Sequence, residues 1–485
     1  MGASRLLLLG LSMLPQVYGA TSCESLLKLH LPDTTITSAA LTPDVPDTCR
    51  VEAVVRPTSD SEIKIALYLP ANWNGKYLAT GNGGWCGSLS GNVLARYARE
   101  DWAVSATNTG HDGCSGEFAL GHPEKLIDYA YRSEHEMVVK SKAVIQAFYG
   151  RAAKLSYWVG CSAGGKQALM EAQRFPEDFD GIVAGSPAAN WIGRATQAIW
   201  SAQAVHRSVD GALPAAKYKA IHEAALAACD ALDGVKDNVI ENPRRCKFDP
   251  QVLACNGAEN DECLTPAQIE TVRRLYSYSV NPRTGQRLYA GLEPGSELTW
   301  RIWGGPTPLS IATDHYKYVV FENPKWDYMS LNFDQDVARA EDLDAHRIDA
   351  LNPDLQRFFA HGGKMIQYHG WNDSQIAPGN SVDYYESVLK AMGGLGKVTP
   401  SYRLFMVPGM NHCSGGEGAY LFDALSALIR WREEGVAPQR IVAHKPNALA
   451  RTHPLCPYPQ EAIYKGSGDT GDEASYTCGL VAARP

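Results

Sequence analysis

Ser156-Tyr157-Trp158-Val159-Gly160-Cys161-Ser162-Ala163-Gly164-Gly165 runs from a strand-like stretch through a crowd of small residues into a helix-forming segment. The pattern G-x-S-x-G centred on Ser162 suits a strained strand-to-helix turn. On such a turn the serine hydroxyl projects from a sheet edge, and small neighbours let strand and helix approach closely. The pentapeptide alone recurs by chance in many proteins, but its context fits: Ser156 to Gly160 reads as a strand and Gly164 to Arg174 as a helix. Ser162 is therefore read as a nucleophile rather than a structural turn serine. Cys161 is the competing nucleophile, disfavoured because Ser162 occupies the centre of the motif and an exported thiol tends to be oxidised.

Outward from this turn, strand and helix alternate. Val51 to Arg56, Glu62 to Leu69, Lys76 to Thr80 and Trp102 to Ala106 read as strands, and Asp128 to Tyr149 as one long amphipathic helix. Gly181 to Ala184 reads as a buried strand. Beyond a long middle segment the rhythm resumes with strands Lys364 to Tyr368 and Tyr402 to Val407 and helices Ser381 to Met392 and Tyr420 to Glu433. Such alternation predicts a mostly parallel sheet with helices on both faces. The middle segment, from about Asn190 to Leu351, has turn-rich sequence and local cysteine pairs, and reads as an insertion between two sheet strands.

A serine hydroxyl needs a base, and behind this kind of turn the acid and the histidine follow in chain order. His412 lies just past the strand ending at Val407, and Asp373 just past the strand ending near Tyr368, so the order Ser162, Asp373, His412 is the expected one. His361, His369 and Asp383 are the neighbouring alternatives, read as structural or surface groups. Cys161 precedes the nucleophile and Cys413 follows the base, so a Ser162–His412 contact would bring these two sulfurs within bridging range. The oxyanion hole is assigned to the backbone N–H of Ala163 together with that of Gly83 or Gly84, from Gly81-Asn82-Gly83-Gly84.

The 485 residues include 45 Lys+Arg against 53 Asp+Glu, a net charge of −8, and are 45% hydrophobic. That excludes a disordered or collagenous chain, and without a cationic cluster nucleic acid is not expected as a partner. Residues 1–20 carry Arg5, the apolar run Leu6 to Leu14 and small residues at Gly19 and Ala20, the layout of a secretory signal; a buried first helix is the alternative. No later stretch is apolar enough to span a bilayer, so a secreted, extracellular protein without a membrane anchor is expected. Twelve cysteines in an exported chain read as six disulfides. Cys255 and Cys263 form a local pair, as do Cys456 and Cys478, while Cys229 and Cys246 bracket an acidic loop; sequence leaves the connectivity open. In that loop Asp230, Asp233 and Asp237 crowd around Gly234, a density of hard oxygen donors that suits Ca²⁺ with carbonyls such as those of Val235 and Val239. The alternative is a solvated acidic turn.

Taken together, Gly160 to Gly165, Met170 to Gly185, Gly81 to Gly84, Gly370-Trp371-Asn372-Asp373 and Val407 to Cys413 resemble the tannase and feruloyl esterase family of secreted α/β hydrolases, over nearly the whole mature chain. The resemblance implies an α/β-hydrolase fold: a catalytic domain of residues 21–189 and 352–485, and a lid of residues 190–351 carrying the acidic loop. It implies a Ser162, Asp373, His412 triad braced by Cys161–Cys413, and a structural Ca²⁺ held by Asp230, Asp233, Asp237 and the carbonyls of Val235 and Val239, with no organic cofactor. It also implies Cys229–Cys246, Cys255–Cys263 and Cys456–Cys478, which leaves Cys23–Cys49 and Cys86–Cys114. The expected activity is hydrolysis of phenolic-acid esters, first ferulate, caffeate or p-coumarate esters of simple alcohols or feruloylated oligosaccharides, second the galloyl esters of a tannase. An inactive binding protein on the same scaffold would require loss of a triad member, and all three are present. Trp303, Phe321, Trp326 and Tyr328 are candidate walls for the aromatic acyl group, or else lid core. Oligomeric state is left open. Asn372-Asp373-Ser374 is a glycosylation sequon overlapping the acid, and Asn372 is expected to be unmodified.

Overall fold

Short apolar runs of β-branched and aromatic residues build the centre of a nine-stranded sheet in the computed structural model, which describes residues 22–304, 308, 310–344 and 347–481. The expected signal, residues 1–20, lies outside them. The strands are β1 (Thr34–Leu41), β2 (Thr48–Val55), β3 (Ile63–Pro70), β4 (Lys76–Thr80), β5 (Ala103–Thr107), β6 (Leu155–Cys161), β7 (Gly181–Gly185), β8 (Lys364–Gly370) and β9 (Tyr402–Val407). Their spatial order is β1-β2-β3-β5-β4-β6-β7-β8-β9. The first three and β5 pair antiparallel, and every pairing from β5 through β4 to β9 is parallel. Strands β5 and β7 are buried along their whole length, as a parallel strand covered on both faces must be.

Consecutive residues of β6 show the two faces. Trp158 joins a core with Met137, Ile145, Leu169 and Tyr385, from helices α1 (Ser133–Tyr149), α2 (Ala163–Arg174) and α5 (Gly379–Met392). Tyr157, one residue earlier, points the other way into a core with Val183, Phe405, Leu428 and Trp431, the last two on α6 (Ala424–Glu434). The helix expected from Asp128 begins instead with a π-type turn over Asp128–Arg132, where the buried Asp128 carboxylate receives Ser61 Oγ at 3.2 Å and Arg132 Nε at 2.5 Å.

Between β7 and β8 the chain leaves the sheet and forms α3 (Trp191–His206), α4 (Ala215–Cys229) and further short helices. This segment holds apolar clusters made of its own residues, one around Ala198, Ile221, Val272 and Trp300 and another around Ile199, Trp200, Tyr316 and Phe333. Because β4, β6, β8 and β9 are parallel, the loops after them emerge at the same sheet edge. There the insertion returns over them, and the functional residues gather.

Candidate active site

At the end of β6 the chain turns through Ser162, whose φ of 66° and ψ of −122° no ordinary strand or helix residue adopts. Such a conformation costs about 1–3 kcal/mol and persists where its surroundings over-determine it. Here Ser162 N–H donates to Gly185 O at 2.9 Å, and Ser162 O receives Lys166 N and Ala188 N at 3.0 and 3.2 Å. A Cβ on Gly160 would stand 2.4 Å from Gly164 O, and one on Gly165 would stand 2.3 Å from Gly185 O, so only glycine lets β6, α2 and β7 close on the turn. The serine's backbone is fully engaged while its side chain remains half-buried at the sheet edge.

The loop after β4 is fastened to the start of α2. Gly164 N–H donates to Asn82 O at 2.7 Å, Asn82 N–H donates to Gln167 Oε1 at 3.0 Å, and Asn82 Nδ2 donates to the carbonyls of Ser88 and Thr107, each at 3.0 Å. Gly83 O receives Cys86 N at 2.9 Å and Gly84 O receives Tyr129 Oη at 2.6 Å. The Gly164 bond to Asn82 holds this loop against the start of α2, where Ala163 is an opening residue whose N–H has no acceptor within the helix.

Asp373, on the loop after β8, is fully buried. Its Oδ1 receives the N–H groups of Gln375 and Ile376 at 2.8 and 2.9 Å, and its Oδ2 receives His412 Nδ1 at 2.7 Å and His369 Nε2 at 3.1 Å. Burial alone would push the carboxyl up; the facing imidazoles overturn this and hold it well below the usual carboxylate range. Asp373 is thus a fixed anion, and with Nδ1 of His412 committed to it, Nε2 is the nitrogen left for proton transfer. The disulfide Cys161–Cys413, with Cα atoms 6.0 Å apart, joins the residue before Ser162 to the residue after His412. The loops carrying acid and base also touch: Asn372 N–H donates to Met410 O at 3.0 Å, and a Cβ on Gly370 would lie 2.2 Å from that oxygen.

The insertion is seated on the acid loop. Asn372 Nδ2 donates to Gly295 O at 2.7 Å, Trp303 Nε1 to Ser374 O at 3.0 Å, and Arg194 to Gln375 O and Ile311 O at 3.4 and 3.2 Å. Asn372 is 6% exposed and its amide nitrogen is engaged, which leaves no room for a glycan. On α4, His222 lies between Glu297 at 2.9 Å and Glu417 at 2.8 Å; burial opposes its charge, but the flanking carboxylates raise its pKa to about 9. Glu417 follows the His412 loop, so this cation ties the insertion to it.

Of the aromatic residues expected as acyl walls, Trp303 reaches the acid loop. Phe321 stacks on Trp326, and Trp326 on Tyr316, inside the insertion's own cluster, and Tyr328 Oη pairs with His206 Nδ1 at 2.8 Å. Trp85, Tyr129 and Trp191 pack with Ala163, Ala188 and Ile376 in a buried cluster behind the nucleophile turn, with Trp85 4.7 Å from each of the other two rings. Trp85 directly follows the glycine loop.

All six expected disulfides are formed: Cys23–Cys49, Cys86–Cys114, Cys161–Cys413, Cys229–Cys246, Cys255–Cys263 and Cys456–Cys478. In the loop clamped by Cys229–Cys246, Asp230 receives the N–H groups of Asp237 and Asn238, Asp233 that of Val235, and Asp237 that of Val239, at 3.0–3.2 Å. Burial, with Glu241 and Asp237 nearby, pushes Asp233 up to about 7, and Asp237 is raised by burial and by Asp230. Carboxylates that repel one another, Asp230 buried and Asp233 and Asp237 half-buried, suit a divalent cation in donor type, although among the described residues no three His, Cys, Asp or Glu stand close enough together to hold a metal ion.

The family profile described as "Tannase and feruloyl esterase" matches residues 49–479. An uncharacterized esterase of Xanthomonas campestris is 38% identical over 96% of this chain and 92% of its own length. A probable feruloyl esterase B-2 of Neosartorya fischeri is 37% identical over 93% of this chain and 90% of its own. Among solved structures, feruloyl esterase B from Aspergillus oryzae superposes with a TM-score of 0.88 at 33% identity, covering 94% of this chain and 99% of that one. The tannin acyl hydrolase from Aspergillus niger, at 22% identity and a TM-score of 0.79 over 93% of this chain and 92% of that one, shares the α/β-hydrolase fold.

Proposed function

The chain belongs to the tannase and feruloyl esterase family, and from that premise we propose that it is a secreted serine esterase cleaving hydroxycinnamate esters, with Ser162, Asp373 and His412 as its triad. The single observation that carries the catalytic assignment is the joining of three elements: a strained Ser162, a base 2.7 Å from a buried anion, and the Cys161–Cys413 bond between them. The preference for feruloyl over galloyl esters rests on similarity to proteins named feruloyl esterase B over nine-tenths of both chains.

In this reading Ser162 Oγ attacks the ester carbonyl and its proton passes to His412 Nε2. The carbonyl oxygen takes up negative charge against the N–H groups of Ala163 and of Gly83 or Gly84. His412 returns the proton to the departing alcohol, leaving Ser162 acylated. Water then attacks the acyl-enzyme, giving its proton to His412, which protonates Ser162 Oγ as the acid leaves. Asp373 stays ionised throughout and stabilises the imidazolium in each half-reaction.

The acidic loop is assigned a structural calcium ion held by Asp230, Asp233, Asp237 and the carbonyls of Val235 and Val239. When bound, the ion would supply positive charge against these carboxylates and would take no part in the reaction. Chelator treatment is expected to lower the melting temperature and added Ca²⁺ to restore it; a melting temperature indifferent to both refutes the assignment. Six disulfides support an extracellular location. The functional reading is tested by measuring acid release from methyl ferulate and methyl gallate side by side, with Ser162→Ala as control. Ferulate release that exceeds gallate release and disappears in the variant supports it; undiminished turnover in the variant overturns the triad, and faster gallate release overturns the substrate assignment.

A further inference from the structure

Resting on the triad reading above, we propose that His369 is a positioning residue that shares the catalytic carboxylate oxygen with the base and tunes it. His369 sits in β8 with no solvent exposure. Its Nε2 lies 3.1 Å from Asp373 Oδ2 and 3.0 Å from Ile376 O, and its Nδ1 lies 2.7 Å from Ser381 Oγ, in the first turn of α5. An ionised carboxylate and a peptide carbonyl carry no hydrogen, so Nε2 must bear the proton and donate to both. In the neutral imidazole Nδ1 is then the acceptor, and the Ser381 hydroxyl donates to it. This fixes the tautomer, and the run is Ser381 to His369 to Asp373, with His412 meeting the same Oδ2 from the other side.

The choice of oxygen gives this contact its consequence. Oδ1 is saturated by two backbone N–H groups, so Asp373 cannot rotate its carboxylate without breaking them. Oδ2 is the oxygen His412 uses, and a second N–H donor on it draws off part of its negative charge. The His412 imidazolium is therefore stabilised less than by a free carboxylate, which keeps the base from holding its proton too tightly. The same donor keeps Oδ2 aimed at His412. The other titratable groups whose charge acts on Asp373 are Arg194, on α3, and Tyr289, both buried and neither bonded to Oδ2. A buried histidine that merely fills space would not need a fixed tautomer or a bond to the reacting acid.

The test compares His369→Gln with His369→Asn on the pH profile of methyl ferulate hydrolysis by the full-length enzyme. Glutamine carries its amide nitrogen to the place of Nε2 and keeps a donor for Oδ2; asparagine reaches the place of Nδ1 and leaves Oδ2 to His412 alone. We expect His369→Asn to lower kcat roughly ten- to hundredfold, the effect of one hydrogen bond to a charged group, and to move the acidic limb of kcat/KM upward by about half to one pH unit. His369→Gln retains the wild-type limb and recovers most of kcat. Ser381→Ala, which leaves Asp373 untouched, shifts the limb in the same direction as His369→Asn by a smaller amount, and it supplies the readout if His369→Asn does not fold. Limbs unmoved in His369→Asn and Ser381→Ala, or equal losses in Gln and Asn, overturn the proposal. Ser162→Ala run alongside separates the two readings: turnover in that variant sinks the triad itself, whereas an inactive Ser162→Ala with unmoved limbs sinks the role of His369 alone.

Discussion

Replacing Cys161 and Cys413 together by alanine separates two roles of their bond, one in stability and one in catalysis. The cross-link spans 252 residues of sequence. In the chain-entropy description a loop of that length removes about 5 kcal/mol of freedom from the unfolded state, toward the upper end of what disulfides contribute. At about 2.1 cal/mol/K per residue over 485 residues, the entropy of unfolding is about 1 kcal/mol/K, so the loss corresponds to about 5 °C in melting temperature. The catalytic effect has a different origin. Ser162 keeps its turn through Gly160, Gly165 and the Gly185 hydrogen bond, and Asp373 keeps its backbone donors, but the His412 loop is freed from the nucleophile. A displacement of about 1 Å at the base costs about a hundredfold in rate. The assay is ferulate release from methyl ferulate at 25 °C, far below either melting temperature, with kcat and KM determined separately and thermal unfolding followed on the same samples. A variant about 5 °C less stable with kcat down about a hundredfold and KM little changed is the expected result. A variant that loses the stability and keeps kcat refutes the claim that the bond positions the base.

Gly84, with φ of +53° and a Cβ that would meet Ile311 Cδ1 at 2.8 Å, is expected to lose at least tenfold in kcat on substitution by alanine, whereas Gly83→Ala, whose Cβ meets nothing within 4 Å, is tolerated better; steady-state kinetics of the pair checks this. Gly165→Ala forces a Cβ to 2.3 Å from Gly185 O and is expected to destabilise by about 1–3 kcal/mol, measured by denaturant unfolding. His222, raised to about 9 between Glu297 and Glu417, contributes stability that is fully present below the unfolded histidine value near 6.5 and is lost as pH rises through about 9. The wild type should therefore lose melting temperature between pH 7 and 10 more steeply than His222→Gln; parallel curves refute the clamp. Asn372 is expected to be free of glycan in protein made by a glycosylating host, read by peptide mass spectrometry.

What was legible in the sequence follows burial. Strands β4 and β9 were placed residue for residue because continuous apolar runs bounded by turn residues announce a covered parallel strand. Strand β1 was missed because Thr34–Leu41 is an edge strand with half of its residues exposed and only Ala39 buried, so its sequence shows little apolar content. The motif residues of the site were legible because each sits at the end of a readable strand, and Cys161 with Cys413 marked their meeting. Their second partners were not. His369 looked like one of several neighbouring histidines, since nothing in one-dimensional spacing shows that a strand residue and the loop four positions on converge on one oxygen. Phe321, Trp326 and Tyr328 pack on the insertion's own cluster, the lid-core alternative that their composition left open.

The account's central claim is that Ser162 carries the acyl group. Acid-quenching the enzyme during turnover of methyl ferulate and digesting it for mass spectrometry tests this directly. A feruloyl adduct on the peptide containing Ser162, localised to that serine and lost in Ser162→Ala, is the predicted result; ferulate release with no adduct on Ser162, or with the acyl group on another residue, would contradict it.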